Sequence, residues 1–399
     1  MSSSLPVVFL KRGADRRLTH GHRWIYSNEI DIARGDYQQL NKGACATVMR
    51  SGGDALGAAY FNRHSLLCGR LYTREPDLVF DDLLKARILV AVHRREMLYG
   101  EPYYRAVYGD GDELSGLIVD RYGDCWVLQA TTVGVFSRLE IIVSIICDNF
   151  QPSCIVLHNE SISNDEAVEA DTRLLYGRIA SPTGDIEIVE NGVRFMVPIL
   201  AGQKTGWFYD HRESRARLAA ISKGKRVLDV YSYLGGWGLA ALTSGASEMH
   251  AIDRSQFALE KLQQNAALNG VGDRCKTFVG EADQLLRQLS KEEEKYDVVI
   301  LDPPAFIKRR KDARNGLKAY HSINQLAMKL LRDNGVLASC SCSLHLTVEQ
   351  LRSVLATAAH KKRSQARIIY SGGLGMDHPV PATMPELGYL KTNFVQLGK

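Results

Sequence analysis

From about residue 198 the chain alternates short apolar runs with polar or glycine-bearing turns and then helical sequence, and no other feature constrains the fold so tightly. Arg226-Val-Leu-Asp-Val230, Glu248-Met-His-Ala-Ile-Asp253, Lys276-Thr-Phe-Val279, Asp297-Val-Val-Ile-Leu-Asp302 and Gly335-Val-Leu-Ala-Ser339 read as strands. Strands alternating with helices predict an α/β domain, doubly wound and Rossmann-like around a parallel sheet. In such a sheet, ligands sit beyond the carboxyl ends of the strands.

Acids stand at the ends of the first, second and fourth of these strands: Asp229, Asp253 and Asp302. After Asp229 comes Tyr231-Ser-Tyr-Leu-Gly-Gly-Trp-Gly238. Here Tyr231, Gly235 and Gly236 are candidate cofactor contacts, because glycine lets backbone approach a ligand closely. The turn lacks the G-x-G-x-x-G spacing, which disfavours a nicotinamide or flavin dinucleotide. Asp253 follows Asp229 by 24 residues and is followed by Arg254, a placement that suits a carboxylate binding the two hydroxyls of a ribose. After the third strand, Gly280-Glu-Ala-Asp283 offers an acceptor for an adenine amino group, with Glu281 ahead of Asp283 by spacing. One acid at a strand end is more often a helix cap than a ligand. The ordered set favours a nucleoside site.

Two further regions precede this one. Residues 1–76 contain short strands (Val7–Leu10, Ala46–Met49, Ala58–Phe61 and Leu66–Tyr72), which describe a small β-barrel-like domain. Residues 77–197 read as a central α+β domain. It has a helix over 77–100, a hairpin turning at Gly123-Asp124, a buried helix from Leu139 to Phe150, a strand at Cys154–Leu157 and a hairpin around Asn191-Gly192. The third domain occupies 198–399.

Eight cysteines in 399 residues, without even small-loop spacing, make no disulfide framework, and reduced thiols in the cytoplasm are expected. Neither a metal set nor an apolar run long enough to span a membrane is visible. The short apolar start is followed, not preceded, by its charges, which disfavours an export signal.

Residues 1–75 hold 11 Lys plus Arg against 6 Asp plus Glu, an excess as large as the +5 of the whole chain. A second basic run, Lys308-Arg-Arg-Lys-Asp-Ala-Arg314, follows Asp302-Pro-Pro-Ala-Phe306. Any one basic run is most simply solvated surface. Two of them flanking a candidate site favour a polyanionic substrate, which makes Lys308 and Arg309 candidate contacts. The prolines at 303 and 304 stiffen the loop and fix the direction of the Asp302 carboxylate. The fifth strand ends Ala338-Ser-Cys-Ser-Cys-Ser-Leu344. Alternation puts Cys340 and Cys342 on one face, so spacing does not choose between them.

The segment Gly202-Gln-Lys-Thr-Gly-Trp-Phe-Tyr-Asp-His-Arg212 resembles the G-H-K-T-G-Y-Y-L-D-Q-R element of the RlmI family of bacterial 23S ribosomal RNA cytosine-5 methyltransferases. Gly21-His-Arg-Trp-Ile-Tyr-Ser resembles the opening of that family's PUA domain, an RNA-binding module. Asp112-Glu-Leu-Ser-Gly-Leu-Ile-Val-Asp-Arg-Tyr-Gly123 resembles its central hairpin. Asp377-His-Pro-Val380 with Pro385-Glu-Leu-Gly-Tyr-Leu-Lys391 resembles its closing element. The resemblance implies a class I methyltransferase fold and S-adenosylmethionine as cofactor, with Thr205, Tyr209, Asp210 and Arg212 over the cofactor pocket. His211 and Gln203 depart from the family pattern. The resemblance also places Cys342 at the nucleophile position and Asp302 against the target pyrimidine, with Pro303, Pro304 and Phe306 on the substrate side.

Carbon 5 of cytosine is a poor nucleophile until a thiolate adds to carbon 6 and makes the ring an enamine. The implied activity is therefore formation of 5-methylcytosine in 23S ribosomal RNA through a covalent Cys342 adduct. Ala305 stands where amino-group methyltransferases usually carry an aromatic residue, and where some related enzymes hold a second cysteine. Competing readings are methyl transfer to a guanine amino group, to carbon 5 of uridine or to tRNA, and an RNA-binding protein with an inactive methyltransferase domain. The modified nucleotide, the form of the RNA substrate and the oligomeric state, a homodimer included, stay open.

Overall fold

A computed structural model describes residues 4–159, 166, 168 and 170–398. Two compact units emerge, each from discontinuous stretches: Met1–Ile186, Pro198–Phe208 and Met376–Leu387 in the first, and Glu187–Val197, Tyr209–Gly375 and Gly388–Lys399 in the second. The division departs from the three stretches 1–76, 77–197 and 198–399. Hydrogen bonds show why the segments change sides. Asp377 accepts the backbone N–H of Arg105 at 2.9 Å, which ties its segment into the first unit. Asn265 and Asn269 accept the backbone N–H groups of Met196 and Arg194 at 2.7 and 3.0 Å, which ties that strand into the second.

In the first unit, β1 (Val7–Leu10), β2 (Trp24–Ile25), β3 (Ile30–Gly35), β4 (Ala44–Met49), β5 (Ala55–Phe61) and β6 (Gly69–Thr73) form one sheet in the order β2-β6-β5-β4-β1-β3. Sequence pattern misses β2, which is two residues long, and β3, which is largely exposed. The helix expected from residue 77 begins at Phe80. Asp77 sits at φ 63°, outside the helical region, and its carboxylate accepts the Thr47 hydroxyl at 2.9 Å.

A second sheet follows: β7 (Tyr103–Tyr108), β8 (Leu117–Tyr122), β9 (Cys125–Ala130), β10 (Cys154–Asn159) and β11 (Asp171–Gly177), ordered β11-β10-β9-β8-β7. The hairpin at Gly123-Asp124 and the helix Leu139–Phe150 form where the sequence places them. One expectation is corrected. Cys125 and Cys154 face each other in the parallel register of β9 and β10 and are joined as a disulfide. Their pairing comes from strand neighbourhood, not from any spacing in the sequence.

The second unit begins at Glu187, inside the hairpin β12 (Asp185–Glu190) and β13 (Val193–Pro198). Asn191 and Gly192 between them both adopt positive φ, as a two-residue hairpin turn requires. Its main sheet contains β14 (Arg226–Val230), β15 (Glu248–Asp253), β16 (Cys275–Val279), β17 (Tyr296–Leu301), β18 (Leu331–Ser341), β19 (Gln365–Gly372) and β20 (Lys391–Gly398). The order is β16-β15-β14-β17-β18-β20-β19. The five expected strands are present and parallel. The sheet is not wholly parallel, however, because β20 runs antiparallel between β18 and β19. Neither of these last strands is legible as an apolar run. β19 is mostly exposed, and β20 buries the polar residues Lys391, Thr392 and Asn393. Leu228, Val230, Val299, Leu301 and Leu337 pack with the helices Ala282–Lys291, Ala313–Leu330 and Val348–Lys361 into one core. Among the described residues, no helix is long and apolar enough to cross a membrane.

Candidate functional site

β14, β15 and β17 end side by side, and their three acids reach the same edge of the sheet. Reversal of strand order at β14 opens a crevice there, the usual ligand position in such sheets. Asp229 is completely buried. One of its oxygens accepts the Gly238 N–H at 2.9 Å, and the other has no hydrogen-bond partner among the described residues. Burial pushes its carboxyl up to about 7, with the Gly238 N–H opposing and the Asp302 charge adding to the rise.

The turn after β14 is held open by unusual backbone. Tyr231 and Tyr233 have positive φ, and Gly235 at φ 88° starts the helix Gly236–Thr243. A Cβ at Gly235 would lie 2.8 Å from Leu262 Cγ and 2.9 Å from Leu239 Cδ1, so only glycine fits. Asp253 accepts the backbone N–H groups of Tyr233 and Ser255 at 3.0 and 2.9 Å, which aims its carboxylate across this turn. Arg254 is exposed beside it. Burial pushes the Tyr231 phenol up, and the Asp283 and Glu281 carboxylates after β16 add to the rise. Both are themselves exposed.

Asp302, just beyond β17, is clamped from two sides. His211 Nε2 lies 3.1 Å from Oδ1, and Trp237 Nε1 donates to Oδ2 at 3.1 Å. Burial would raise the Asp302 carboxyl, but the His211 charge and hydrogen bond bring it below the ordinary carboxylate range. Conversely, burial would lower His211, and Asp302 raises it. Sequence reading singled out neither partner for this role. His211 is the family departure noted above, and Trp237 hides inside the glycine turn.

The two cysteines of the fifth strand do not share an environment. Cys340 is buried, accepts the Thr392 hydroxyl at 3.6 Å, and has its thiol pushed well up by burial. Cys342 lies one residue past the end of β18 and is half-buried, with Sγ 3.8 Å from the Pro303 carbonyl. In the segment after Asp302, Pro304, Lys308 and Arg309 are exposed, Pro303 is buried, and Phe306 packs on Tyr320 with ring centroids 4.8 Å apart.

The resemblance-derived residues upstream have different surroundings. Tyr209, Asp210 and Arg212 are buried in the second unit. Asp210 accepts the Tyr389 hydroxyl at 2.8 Å, and the Arg212 guanidinium lies over the Tyr209 ring at 5.0 Å. Thr205 belongs to the first unit, where its hydroxyl donates to the buried Asp120 at 2.5 Å. The first unit also has a cavity of about 260 Å³ whose walls include Arg23, Arg74 and Arg87 with one carboxylate, Glu113.

Comparison with known proteins agrees with this architecture. Residues 169–364 match an S-adenosylmethionine-dependent methyltransferase family, and residues 8–74 match a PUA-like domain. A Shewanella amazonensis protein named Ribosomal RNA large subunit methyltransferase I is 32% identical over 392 residues, covering 96% of this chain and 97% of its own. The protein of that name from Klebsiella pneumoniae is 31% identical over 399 residues, covering 98% of each. Among solved structures, a candidate methyltransferase in complex with SAH superimposes with a TM-score of 0.83 at 21% identity, covering 98% of this chain and 99% of its own. A candidate SAM-dependent methyltransferase from Streptococcus mutans gives 0.82 at 20% over the same shares.

The residues present fit that cofactor. Asp253 holds its carboxylate across the turn, the turn through Gly235 offers close backbone, and Asp229 keeps a buried acceptor oxygen without a partner among the described residues. The chain belongs to the ribosomal RNA large subunit methyltransferase I family, and its cofactor is S-adenosylmethionine.

Proposed function

We propose that this protein methylates carbon 5 of a cytosine in 23S ribosomal RNA, in the cytoplasm, with Cys342 as a transient covalent nucleophile. The observation that carries this reading is the position of Cys342. It is the more accessible of the two strand-end cysteines, and its sulfur lies against the carbonyl of Pro303, next in the chain to Asp302. The thiol thus lies against the backbone of the loop that carries the Asp302 carboxylate, whereas the buried Cys340 sulfur lies within 4.8 Å of that carboxylate itself.

In this reading the Cys342 thiolate adds to carbon 6, and the ring electrons shift to make carbon 5 nucleophilic. S-adenosylmethionine, when bound, supplies an electrophilic sulfonium methyl group to that carbon. Loss of the carbon 5 proton and expulsion of the Cys342 thiolate restore the aromatic ring. Asp302 keeps its charge through His211, and a carboxylate accepts a hydrogen bond from the exocyclic amine of cytosine. Uracil presents an oxygen at that position, which a carboxylate repels. This difference favours cytosine over uridine as the target.

Asp229, Asp253, Tyr231, Gly235, Gly236 and Glu281 or Asp283 would hold the cofactor, with Asp210 and Arg212 as supports behind them. Exposed Lys308 and Arg309, with Arg23, Arg74 and Arg87 in the first unit, supply cationic groups for RNA phosphates. The relatives' name supports large-subunit ribosomal RNA as the substrate.

Mapping of 5-methylcytosine in ribosomal RNA from a deletion strain and its parent tests the target. One site should disappear and return with the wild-type gene but not with Cys342→Ala. Full modification by Cys342→Ala would sink the covalent route.

A further inference from the structure

Lys391 is a buried lysine, 7% exposed, at the start of β20. Its backbone pairs with Ser341 on β18, and its Nζ donates to the Ser343 carbonyl at 2.6 Å. The side chain therefore runs from one neighbour of Cys342 to the other. Among the described residues, no carboxylate lies within ion-pair distance of it. A buried ammonium without an anion is costly, so such a group ordinarily neutralises or finds a negative partner.

We propose that Lys391 is a positioning residue that sets the charge of Cys342, holding it as a thiolate ready to attack. The inference rests on Cys342 being the nucleophile. The proton balance is simple. The Cys342 S–H proton passes to the Lys391 amine, giving an ammonium and a thiolate with no change in net charge. When the sulfur later leaves carbon 6, its lone pair is again stabilised by that ammonium.

The surroundings are consistent with this exchange. Burial lowers the Lys391 ammonium to about 8, and the Cys342 charge opposes the fall. An ammonium weakened by burial stands beside a group whose negative charge would stabilise it, the Cys342 sulfur. The other titratable groups facing this corner do not compete. Tyr320, from the helix Ala313–Leu330, is held neutral by burial, with its hydroxyl bonded to Ser341 and Ser343. Cys340 is buried, its sulfur accepts the Thr392 hydroxyl, and burial pushes its thiol well up. Asp302 is engaged by His211 and Trp237.

The test is the pH dependence of alkylation of the full chain by iodoacetamide, read at residue 342 by peptide mass spectrometry. In the wild type, half-maximal reactivity should fall below the ordinary thiol value. In Lys391→Met it should rise by about one unit or more, and Lys391→Arg, which keeps the charge, should move it back. Circular dichroism and cofactor binding establish that each variant is folded. Superimposable profiles for wild type and Lys391→Met would overturn the proposal. Should Lys391→Met not fold, a wild-type midpoint at or above 8.5 overturns it alone, and a lower one supports it. Loss of methyl transfer in Cys342→Ala with an alkylation profile indifferent to Lys391 defeats this inference only. Retained transfer in Cys342→Ala defeats the proposed function instead.

Discussion

His211 Nε2 and Asp302 Oδ1 lie 3.1 Å apart, and each group moves the other toward its charged form. Asp302 contributes stability that is present above its unfolded value and lost as pH falls through its depressed folded value. His211 contributes stability that is present below its unfolded value and lost as pH rises through its raised folded value. The pair is therefore at full strength between those limits. Replacing His211 with Ala should cost about 1.5–3 kcal/mol at pH 6, the range for a charge-assisted hydrogen bond. The loss should shrink above pH 8, and urea melts at both pH values check it. Methyl transfer should fall more than stability does, because Asp302 loses the group that keeps it ionised.

Asp229 gives a pH dependence of opposite sign. Its folded value of about 7 lies above its unfolded value, so the fold prefers the protonated form. Stability from this group is complete below about pH 4 and declines between about 4 and 7, by up to about 4 kcal/mol. Asp229→Asn should flatten that decline and make the cofactor-free protein more stable at pH 8. The same variant should bind S-adenosylmethionine more weakly by calorimetry. Equal stability of the two proteins at pH 8 would refute the assigned burial cost.

Gly235→Ala combines a left-handed backbone with a Cβ 2.8 Å from Leu262 Cγ. The strain alone is about 1 kcal/mol, and the contact adds to it. Melting temperature should fall, and cofactor affinity should fall by tenfold or more as the turn shifts. An unchanged dissociation constant would place the turn outside the cofactor site.

The two cysteines should separate cleanly. Cys340→Ala should retain methyl transfer and lose about 1 kcal/mol of stability, as a small buried truncation does. Cys342→Ala should keep its stability and its cofactor binding while transfer disappears. RNA containing 5-fluorocytosine should form a covalent complex with Cys340→Ala and none with Cys342→Ala, seen as a band that survives denaturing electrophoresis.

Lys308 and Arg309 are exposed beside the Asp302 loop. Converting both to Glu should weaken RNA binding uniformly across sequences. It should also reduce the slope of log affinity against log salt by about one per lost phosphate contact. Cofactor affinity should not change. A salt slope identical to wild type would remove these two residues from the RNA path.

Much of the second unit was legible because its signals are local. The five apolar runs became the five parallel strands, since an apolar strand in a covered sheet is defined by its own side chains. The acids at the ends of β14, β15 and β17 could be placed on one edge from chain order alone. β19 and β20 were not legible. One is exposed along its length, and the other buries lysine, threonine and asparagine that any local reading assigns to a loop.

By itself, then, the sequence determined the strand-helix alternation, the acidic strand ends, and a pair of cysteines with one residue between them. Which cysteine is accessible was decided only when β20 came to lie against β18, bringing Thr392 to Cys340 and Lys391 to the carbonyl after Cys342. The disulfide between Cys125 and Cys154 and the clamp of His211 and Trp237 on Asp302 arose in the same way. Alternation is a property of neighbouring residues and can be read along the chain. The burial of a thiol, or the partner of a carboxylate, depends on groups far away in sequence, 48 residues apart for Lys391 and Ser343, and exists only once the sheet has closed.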